Sequence, residues 1–571
     1  MTQPVESLCD IGSYVQSGQD FDALSCGHEW ALPETMNVAS MVCNRHADGE
    51  GRLALIAEND QGDCCQYNFD QLLGCVSRLA AYMLSVGVKR GDRVAVILPQ
   101  RIETAVLHIA AQRIGAISLP LSILFGDEAL SYRLRDSGAS FLVVGSQRAT
   151  LIDSLRDSLP ELHTVLTVVE PGPVPLTPLG LADCVVKSSC ENSFWQCLQT
   201  VEPHTETVEL KPDDPAFLLY TSGTTGPPKG ALIPQRALLG NLTGFECSHD
   251  GFPQNNDVVY TPADWAWTGG LLDALLPAWY YGVPVVALDY KKFNTRKVMS
   301  LMSRHSVTCA FIPPTALKII RADYEHIEKP VLALRSIMSA GEAVGEALFE
   351  WANKVLGIRV NEMCGQTEHN YLMGNCSALM AVKPGSMGKA YPGHQVAIMG
   401  PSGTLLPDNE LGEIVAHKND PVHFLGYWNN PEATKKKYTG DWFHTGDVGF
   451  RDDEGYLWFQ GRADDVINSA GYRIGPGEIE NCALRHEAVL QAAAIGVPDP
   501  EDIRGDVVKL CVVLREGISV SDELRASLQS HIREHLAAYE YPRLLEFFDQ
   551  LPMTTTGKMQ RNVLRQWHQE N

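Results

Sequence analysis

Residues 220–230 read Tyr-Thr-Ser-Gly-Thr-Thr-Gly-Pro-Pro-Lys-Gly, and their types suit the binding of an anion. Thr221, Ser222, Thr224 and Thr225 offer hydroxyl donors. Gly223, Gly226 and Gly230 let backbone come close, and Lys229 adds a point charge. Apolar residues 216–219 lead in and 231–233 lead out, so the stretch reads as a loop between two strands. A hairpin turn that merely carries polar residues shares this pattern. A Walker A loop does not, because there Gly-Lys is followed by Ser or Thr, whereas Lys229 precedes Gly230 and Ala231. No Gly-x-Ser-x-Gly elbow is present to compete as a nucleophile site.

Four more segments carry groups able to handle phosphate or metal. Ser339-Ala340-Gly341-Glu342-Ala343 follows the strand-like Ser336-Ile337-Met338. Asn361-Glu362-Met363-Cys364-Gly365-Gln366-Thr367-Glu368 ends in a hydroxyl and a carboxylate. Thr445-Gly446-Asp447 and Pro552-Met553-Thr554-Thr555-Thr556-Gly557-Lys558 lie further on. Each alone reads as an ordinary turn, a capping aspartate or a solvated lysine. In this order, with the hydroxyl-rich loop ahead of them, they resemble the AMP-forming acyl-CoA synthetase (adenylate-forming) superfamily over about residues 36–561. The segments 426–434 (Gly-Tyr-Trp-Asn-Asn-Pro-Glu-Ala-Thr) and 469–476 (Ser-Ala-Gly-Tyr-Arg-Ile-Gly-Pro) look most like its short- and medium-chain members.

The resemblance implies an acid–CoA ligase that makes acyl-CoA, AMP and diphosphate from a carboxylic acid, ATP and CoA through an acyl-adenylate. It implies an ATP/AMP site drawn from residues 221–226, Lys229, Gly341, Glu342, Ala343, Cys364, Gly365, Gln366, Asp447 and Arg462. Asp447 would meet the ribose, Arg462 would add a charged contact to the same nucleotide, Thr367 would meet the α-phosphate region, and Glu368 would bind Mg²⁺, which takes one or two carboxylates plus phosphate oxygens. Lys558 is implied as the catalytic lysine, with Asp464 as a hinge between domains. Ala470, Gly471, Tyr472 and Arg473 would lie against the pantetheine and phosphate of CoA. Cys364 departs from the family, which usually has an aromatic residue there against adenine. Gly365 stands where acetate-specific relatives place tryptophan, so an acyl group of medium length or bulkier is expected. Trp265 and Trp267, in Asp264-Trp265-Ala266-Trp267, resemble the aromatic segment beside the acyl channel, although both read equally well as core residues.

The positioning elements are legible from periodicity. Leu72, Leu73, Val76, Leu79, Ala80, Met83 and Leu84 repeat at helical spacing until Gly87. Apolar runs at 93–98, 141–144, 285–288 and 308–311 alternate with helical patterns such as 104–114, which predicts parallel sheets covered on both faces. From about 381 to 460 glycines, prolines and short strands indicate a small β subdomain. Beyond it, a helix opening at Gly475-Pro476, strands at 492–497 and 507–514 and a helix at 522–536 predict a small α+β domain. The expected plan is an irregular leader (1–33), a large α/β domain of two doubly wound sheets (34–462) and a mobile C-terminal domain (463–571).

A chain of 571 residues exceeds one core. A net charge of -23 argues against nucleic acid or an anionic membrane as partner. The apolar stretch 271–288 is broken by Asp273, Pro277 and Gly282, so no membrane span is expected. Fifteen scattered cysteines without a Cys-x-x-Cys pair show no zinc spacing and suit reduced thiols in the cytoplasm. The first basic residue is Arg45, so no signal or transit peptide is expected. The quaternary state stays open between monomer and homodimer. Two rival readings remain: an adenylating enzyme that loads a carrier-protein thiol, and a non-catalytic nucleotide-binding relative.

Overall fold

The computed structural model describes residues 15, 20–169, 193–221, 227–290, 292–463, 465, 467–469, 472–498, 506–536, 540–554 and 559–570, with backbone alone at 468–469, 472–473 and 478. Two compact units divide the chain. The first comprises residues 1–384, 390–395 and 418–436, and the second 385–389, 396–417 and 437–571.

Two sheets build the first unit. In one, the parallel strands Ile117–Pro120, Arg93–Ile97, Phe141–Gly145 and Thr164–Val168 lie side by side, and Pro215–Thr221 joins them parallel to Ile117–Pro120. Lys229–Pro234 and Gly426–Tyr427 then extend this sheet antiparallel. Every residue of Phe141–Gly145 is buried, as befits a strand covered on both faces. The other sheet runs parallel from Val360–Gln366 through Ser336–Ala340, Cys309–Phe311, Val259–Tyr260 and Val285–Asp289 to Leu53–Asn59. His369–Gly374 folds back antiparallel on Val360–Gln366. These are the expected doubly wound sheets.

Helix Phe69–Ser85 shows how the sequence encodes its elements. Asn68 and Gln71 form a reciprocal capping box at its start. Leu72, Val76, Leu79, Ala80 and Met83 are buried, whereas Leu84 faces solvent, one position beyond the apolar stripe. Gly87 adopts φ +95° as the chain leaves the helix. The stretch read as an irregular leader contains a helix, Phe21–Gly27, whose first turn is capped by the Asp20 carboxylate accepting from the Ala23 amide. It is too short to leave a helical period in the sequence.

The second unit holds an antiparallel sheet of Val396–Met399, Gly412–His417, Trp442–Arg451, Tyr438–Thr439 and Leu457–Arg462. It also holds the hairpin Ile467–Ser469 with Tyr472–Ile474 and a three-stranded sheet of Val489–Pro498, Asp506–Leu514 and Leu544–Phe547. Helices Pro476–Leu484, Asp522–His535 and Arg561–Glu570 accompany them, the first with proline in its opening turn as expected. No helix among the described residues is long and apolar enough to cross a membrane.

Candidate active site

Strands Pro215–Thr221 and Lys229–Pro234 pair antiparallel with Tyr220 opposite Gly230 and Thr221 opposite Lys229. The strands that flank the hydroxyl-rich segment on either side are therefore the two arms of a hairpin. Ser222, Gly223, Thr224, Thr225 and Gly226 lie outside the described residues. The stem is pinned on several sides. Tyr220 OH donates to Asp136 Oδ2 at 2.6 Å, Tyr132 OH donates to the Pro228 carbonyl at 3.1 Å, and the Trp428 amide donates to the Gly230 carbonyl at 2.7 Å. Lys229 Nζ sits 5.4 Å from the centre of the Tyr427 ring, within cation–π range.

Thr367 and Glu368 form the two-residue turn between Val360–Gln366 and His369–Gly374, where Gln366 pairs with His369. Tyr427 OH donates to Glu368 Oε1 at 2.6 Å, the Phe424 amide donates to the Glu368 carbonyl at 3.0 Å, and the Thr367 and Thr268 hydroxyls are 3.2 Å apart. Hairpin, turn, the 264–270 segment and the 424–428 segment thus meet in one place. Glu368 is buried, its Oε1 accepts from a neutral donor, and its Oε2 makes no hydrogen bond or ion pair among the described residues. A single oriented carboxylate fits Mg²⁺ that takes its other ligands from phosphate and water.

Beneath the turn runs a buried polar chain that motif reading did not find. His369 Nδ1 lies 2.9 Å from His423 Nδ1, and Asp420 Oδ2 lies 2.7 Å from His394 Nδ1 and 3.4 Å from His369 Nε2. Burial alone would raise the pKa of Asp420, but His394 and His369 outweigh it and hold the carboxyl well below the usual carboxylate range. Nearby, burial pushes Glu362 up to about 8 against the opposing hydrogen bond from Val344. It pushes Asp273 up to about 7 against the side chain of Asn370.

Gly341 follows strand Ser336–Ala340, and Cys364 to Thr367 close the parallel neighbour of that strand, with Ala340 opposite Met363. Both segments therefore sit at carboxyl ends of parallel strands, where open α/β sheets bind ligands. Glu342 accepts from Thr315 Oγ1 at 3.2 Å and pairs with Lys318 at 3.5 Å, and Ala343 beside it is exposed. Cys364 is half-buried opposite Met373. Gly365 is a point of close backbone approach, since a Cβ there would stand 2.7 Å from the Tyr371 amide nitrogen. Trp265 is fully buried, as a core residue would be, whereas Trp267 is half-buried with its ring edge-on to Phe125 at 5.4 Å.

In the second unit Asp447 and Arg462 stand opposite each other on paired strands, and Arg462 Nη1 donates to Asp447 Oδ1 at 2.9 Å. Tyr472 and Arg473 lie on the hairpin strand Tyr472–Ile474. Asp464, Ala470, Gly471 and Lys558 fall outside the described residues. An ion-pair network missed by motif reading flanks them in sequence. Arg561 donates to Glu480 at 2.7 Å and to Asp465 at 3.1 Å, and Arg565 donates to Asp465 at 2.7 Å. Its one sequence signal is the i, i+4 spacing of two arginines just after Lys558.

Comparison with known proteins gives the family. Residues 44–428 match the AMP-binding enzyme family, and residues 478–558 match the AMP-binding enzyme C-terminal domain. The chain is 34% identical to the mitochondrial acyl-coenzyme A synthetase ACSM4 of Rattus norvegicus, over 96% of this chain and 93% of that one. A crystal structure of Brucella canis acyl-CoA synthetase superposes with a TM-score of 0.71 at 30% identity, covering 96% of this chain and 99% of that one. The anthranilate CoA ligase AuaEII in complex with anthranoyl-AMP gives 0.81 at 26% identity, covering 94% and 98%. The chain belongs to the AMP-binding enzyme family and is an AMP-forming acid–thiol ligase of the acyl-CoA synthetase superfamily.

Proposed function

We propose that this ligase acts on carboxylic acids of medium length or bulkier than acetate. In the first half reaction a carboxylate oxygen bonds to the α-phosphorus of ATP as the bond to the departing diphosphate breaks. In the second, the CoA sulfur bonds to the acyl carbon, AMP leaves, and the thiol proton is released. An anion must first approach a polyanion, so the rate depends on placed positive charge and hydrogen-bond donors.

We assign that work to residues 221–226, Lys229 and Thr367 on the triphosphate, to Asp447 on the ribose, to Arg462 as a charged contact to the same nucleotide, and to Lys558 on the reacting carboxylate. Gly341, Glu342, Ala343, Cys364 and Gln366 would border the adenine. Glu368 would hold Mg²⁺, which when bound neutralises triphosphate charge. Asp464 would serve as hinge between domains 34–462 and 463–571, and residues 470–473 would receive CoA.

One observation carries the reading. Tyr427 touches both Glu368 and Lys229, so the proposed cation ligand and the phosphate hairpin, far apart in sequence, share one neighbour. The larger acid is favoured by glycine at 365, and each methylene buried would add about 0.8 kcal/mol. A tryptophan there would also have to displace the backbone of Asn370 and Tyr371. Reduced thiols such as Cys482 and Cys511 suit a cytoplasmic protein, a localisation that cell fractionation would test.

The functional experiment measures AMP release that requires both ATP and CoA across a panel of straight-chain, branched and aryl acids. We expect acetate to be a poor substrate and at least one larger acid to be turned over, and acetate preference would overturn the size assignment. Lys558→Ala should abolish adenylate formation yet leave thioester formation from supplied acyl-AMP intact, and equal loss of both would remove Lys558 from its role.

A further inference from the structure

In the second unit, helices Pro476–Leu484 and Asp522–His535 bring together a cysteine and two histidines that the ligase chemistry does not use. Ligand atoms of Cys482, His531 and His535 all lie within 4.8 Å of one another. The spacing His531-x-x-x-His535 puts both imidazoles on one helix face, and their ring centres are 4.5 Å apart. A fourth candidate stands beside them. His486 follows Cys482 by the same interval, and its ring centre is 5.5 Å from that of His531.

Burial grades across the group. Cys482 is buried, His531 and His486 are half-buried, and His535 is exposed, so an ion could enter from solvent and meet the sulfur last. The imidazoles hold ordinary hydrogen bonds, and His486 Nδ1 also accepts from the Ala488 amide at 3.2 Å, a contact it would exchange for the ion. His531 Nε2 lies 3.1 Å from the Cys482 carbonyl, His486 Nε2 lies 3.1 Å from Ser527 Oγ, and His535 Nδ1 lies 2.7 Å from the His531 carbonyl.

Two other triads with metal-ligating groups exist among the described residues, and neither invites an ion. In Glu58, Cys64 and His305 the carboxylate already pairs with Arg304 and with His305. His369, His394 and Asp420 are all buried, and the carboxylate already pairs with both histidines.

We propose that Cys482, His531 and His535 form a zinc-binding site on the second unit, with His486 as fourth ligand. One thiolate and three imidazoles suit Zn²⁺ and disfavour Mg²⁺, which prefers oxygen. Bond lengths of about 2.3 Å to sulfur and about 2.0–2.1 Å to nitrogen put tetrahedral ligand atoms roughly 3.3–3.6 Å apart, a contraction within reach of side-chain rotation. As the zinc–sulfur bond forms, the Cys482 thiol gives its proton to solvent. Scanning cysteine pairs finds no zinc spacing because three of the four ligands are histidines on helical intervals. Bound zinc would clamp the two helices, and the first of these also carries Glu480, the anchor of Arg561. The site stands independently of the acid–thiol chemistry.

The test uses the full chain after treatment with a chelator, dialysed against Zn²⁺ and then assayed for bound metal. We expect one tightly held equivalent, lost in the double variant His531→Gln/His535→Gln. Because the chain has fifteen cysteines, Co²⁺ identifies the sulfur. A sulfur-to-cobalt charge-transfer band should appear in the near ultraviolet and vanish in Cys482→Ser. Absence of stoichiometric binding, an unchanged equivalent in the double variant, or a band that survives Cys482→Ser would each overturn the proposal. Should Cys482→Ser fail to fold, the double variant decides, since its two positions are exposed and half-buried and should leave the circular dichroism unaltered.

Discussion

Two glutamates largely withdrawn from water, one in each unit, are given different partners. Glu362 lies in the strand leading to the Thr367–Glu368 turn, and its pKa is pushed up to about 8, so its carboxyl is protonated at neutral pH. Glu480 lies in helix Pro476–Leu484, where burial holds its pKa above the ordinary carboxylate value although Arg561 opposes the shift with hydrogen bonds of 2.7 and 2.8 Å. Each acid also accepts from a backbone amide, Val344 in one case and Ala494 in the other. The guanidinium makes the difference. In the first unit the buried acid is kept neutral, and Glu368, held by the Tyr427 hydroxyl, has no ion pair among the described residues. In the second, charge is consumed in anchoring the helix that begins three residues after Lys558. Neutral donors preserve a charge for chemistry, whereas ion pairs use one up for position.

Arg561→Ala should turn Glu480 into a second Glu362, and it has the largest expected effect. Removing one partner of an enclosed pair leaves the other uncompensated, at a cost of about 3–5 kcal/mol. The loss should be greatest near pH 8 and smaller near pH 5, where Glu480 can protonate. Chemical denaturation of the second unit at both values measures it. Arg561→Lys should recover less than half, because an ammonium cannot span Glu480 and Asp465 with a planar fork. A loss below about 1 kcal/mol would reduce the network to surface decoration.

Glu362→Gln breaks the comparison from the other side. The folded pKa lies above the unfolded value, so this group's contribution is fully present below about 4.5 and declines as pH rises through about 8. Glutamine removes the titration. We expect the stability of the variant relative to wild type to improve by about 3 kcal/mol between pH 5 and pH 8, read from denaturation midpoints. A gap that does not change with pH would mean that Glu362 is ionised in the fold.

Glu368→Gln probes the charge that the neutral surroundings are inferred to preserve. Acid-dependent pyrophosphate exchange should fall roughly 100-fold or more while the unfolding midpoint stays put. Unimpaired exchange would place the cation elsewhere.

Much of this fold was legible because apolar periodicity reports burial, and the hairpin because eleven consecutive residues carry it. The turn at Glu368 was legible as a run, but its support was not. Tyr427 lies 59 residues away in sequence, and only the pairing of Gly426–Tyr427 with Lys229–Pro234 delivers its hydroxyl to the carboxylate. The chain through His394, Asp420, His369 and His423 likewise depends on long-range register, and no local pattern announces it. Arg561 looked like a residue trailing the lysine loop, since nothing near it in sequence names Glu480 as partner. Trp265 illustrates the opposite limit. Its segment read equally well as channel wall or as core, and its full burial fits the core reading, a choice that depends on packing the sequence does not display.

Tyr427→Phe makes the finest cut, because it removes one oxygen and keeps the ring. The ring must stay for Lys229, whose ammonium lies 5.4 Å from its centre, and phenylalanine retains most of that attraction. What disappears is the 2.6 Å hydrogen bond that sets the orientation of Glu368. Such a bond contributes about 1 kcal/mol, so pyrophosphate exchange should fall roughly five- to tenfold. If the hydroxyl positions a cation ligand, raising Mg²⁺ should restore part of the rate, because a less ordered carboxylate binds the ion more weakly. If it serves only to pack the turn, the deficit will be the same at every Mg²⁺ concentration and will be matched by a lower unfolding midpoint. Combining Tyr427→Phe with Glu368→Gln separates these outcomes again. A hydroxyl that acts through the carboxylate adds almost nothing once that charge is gone, whereas a packing role adds its full deficit to the double variant.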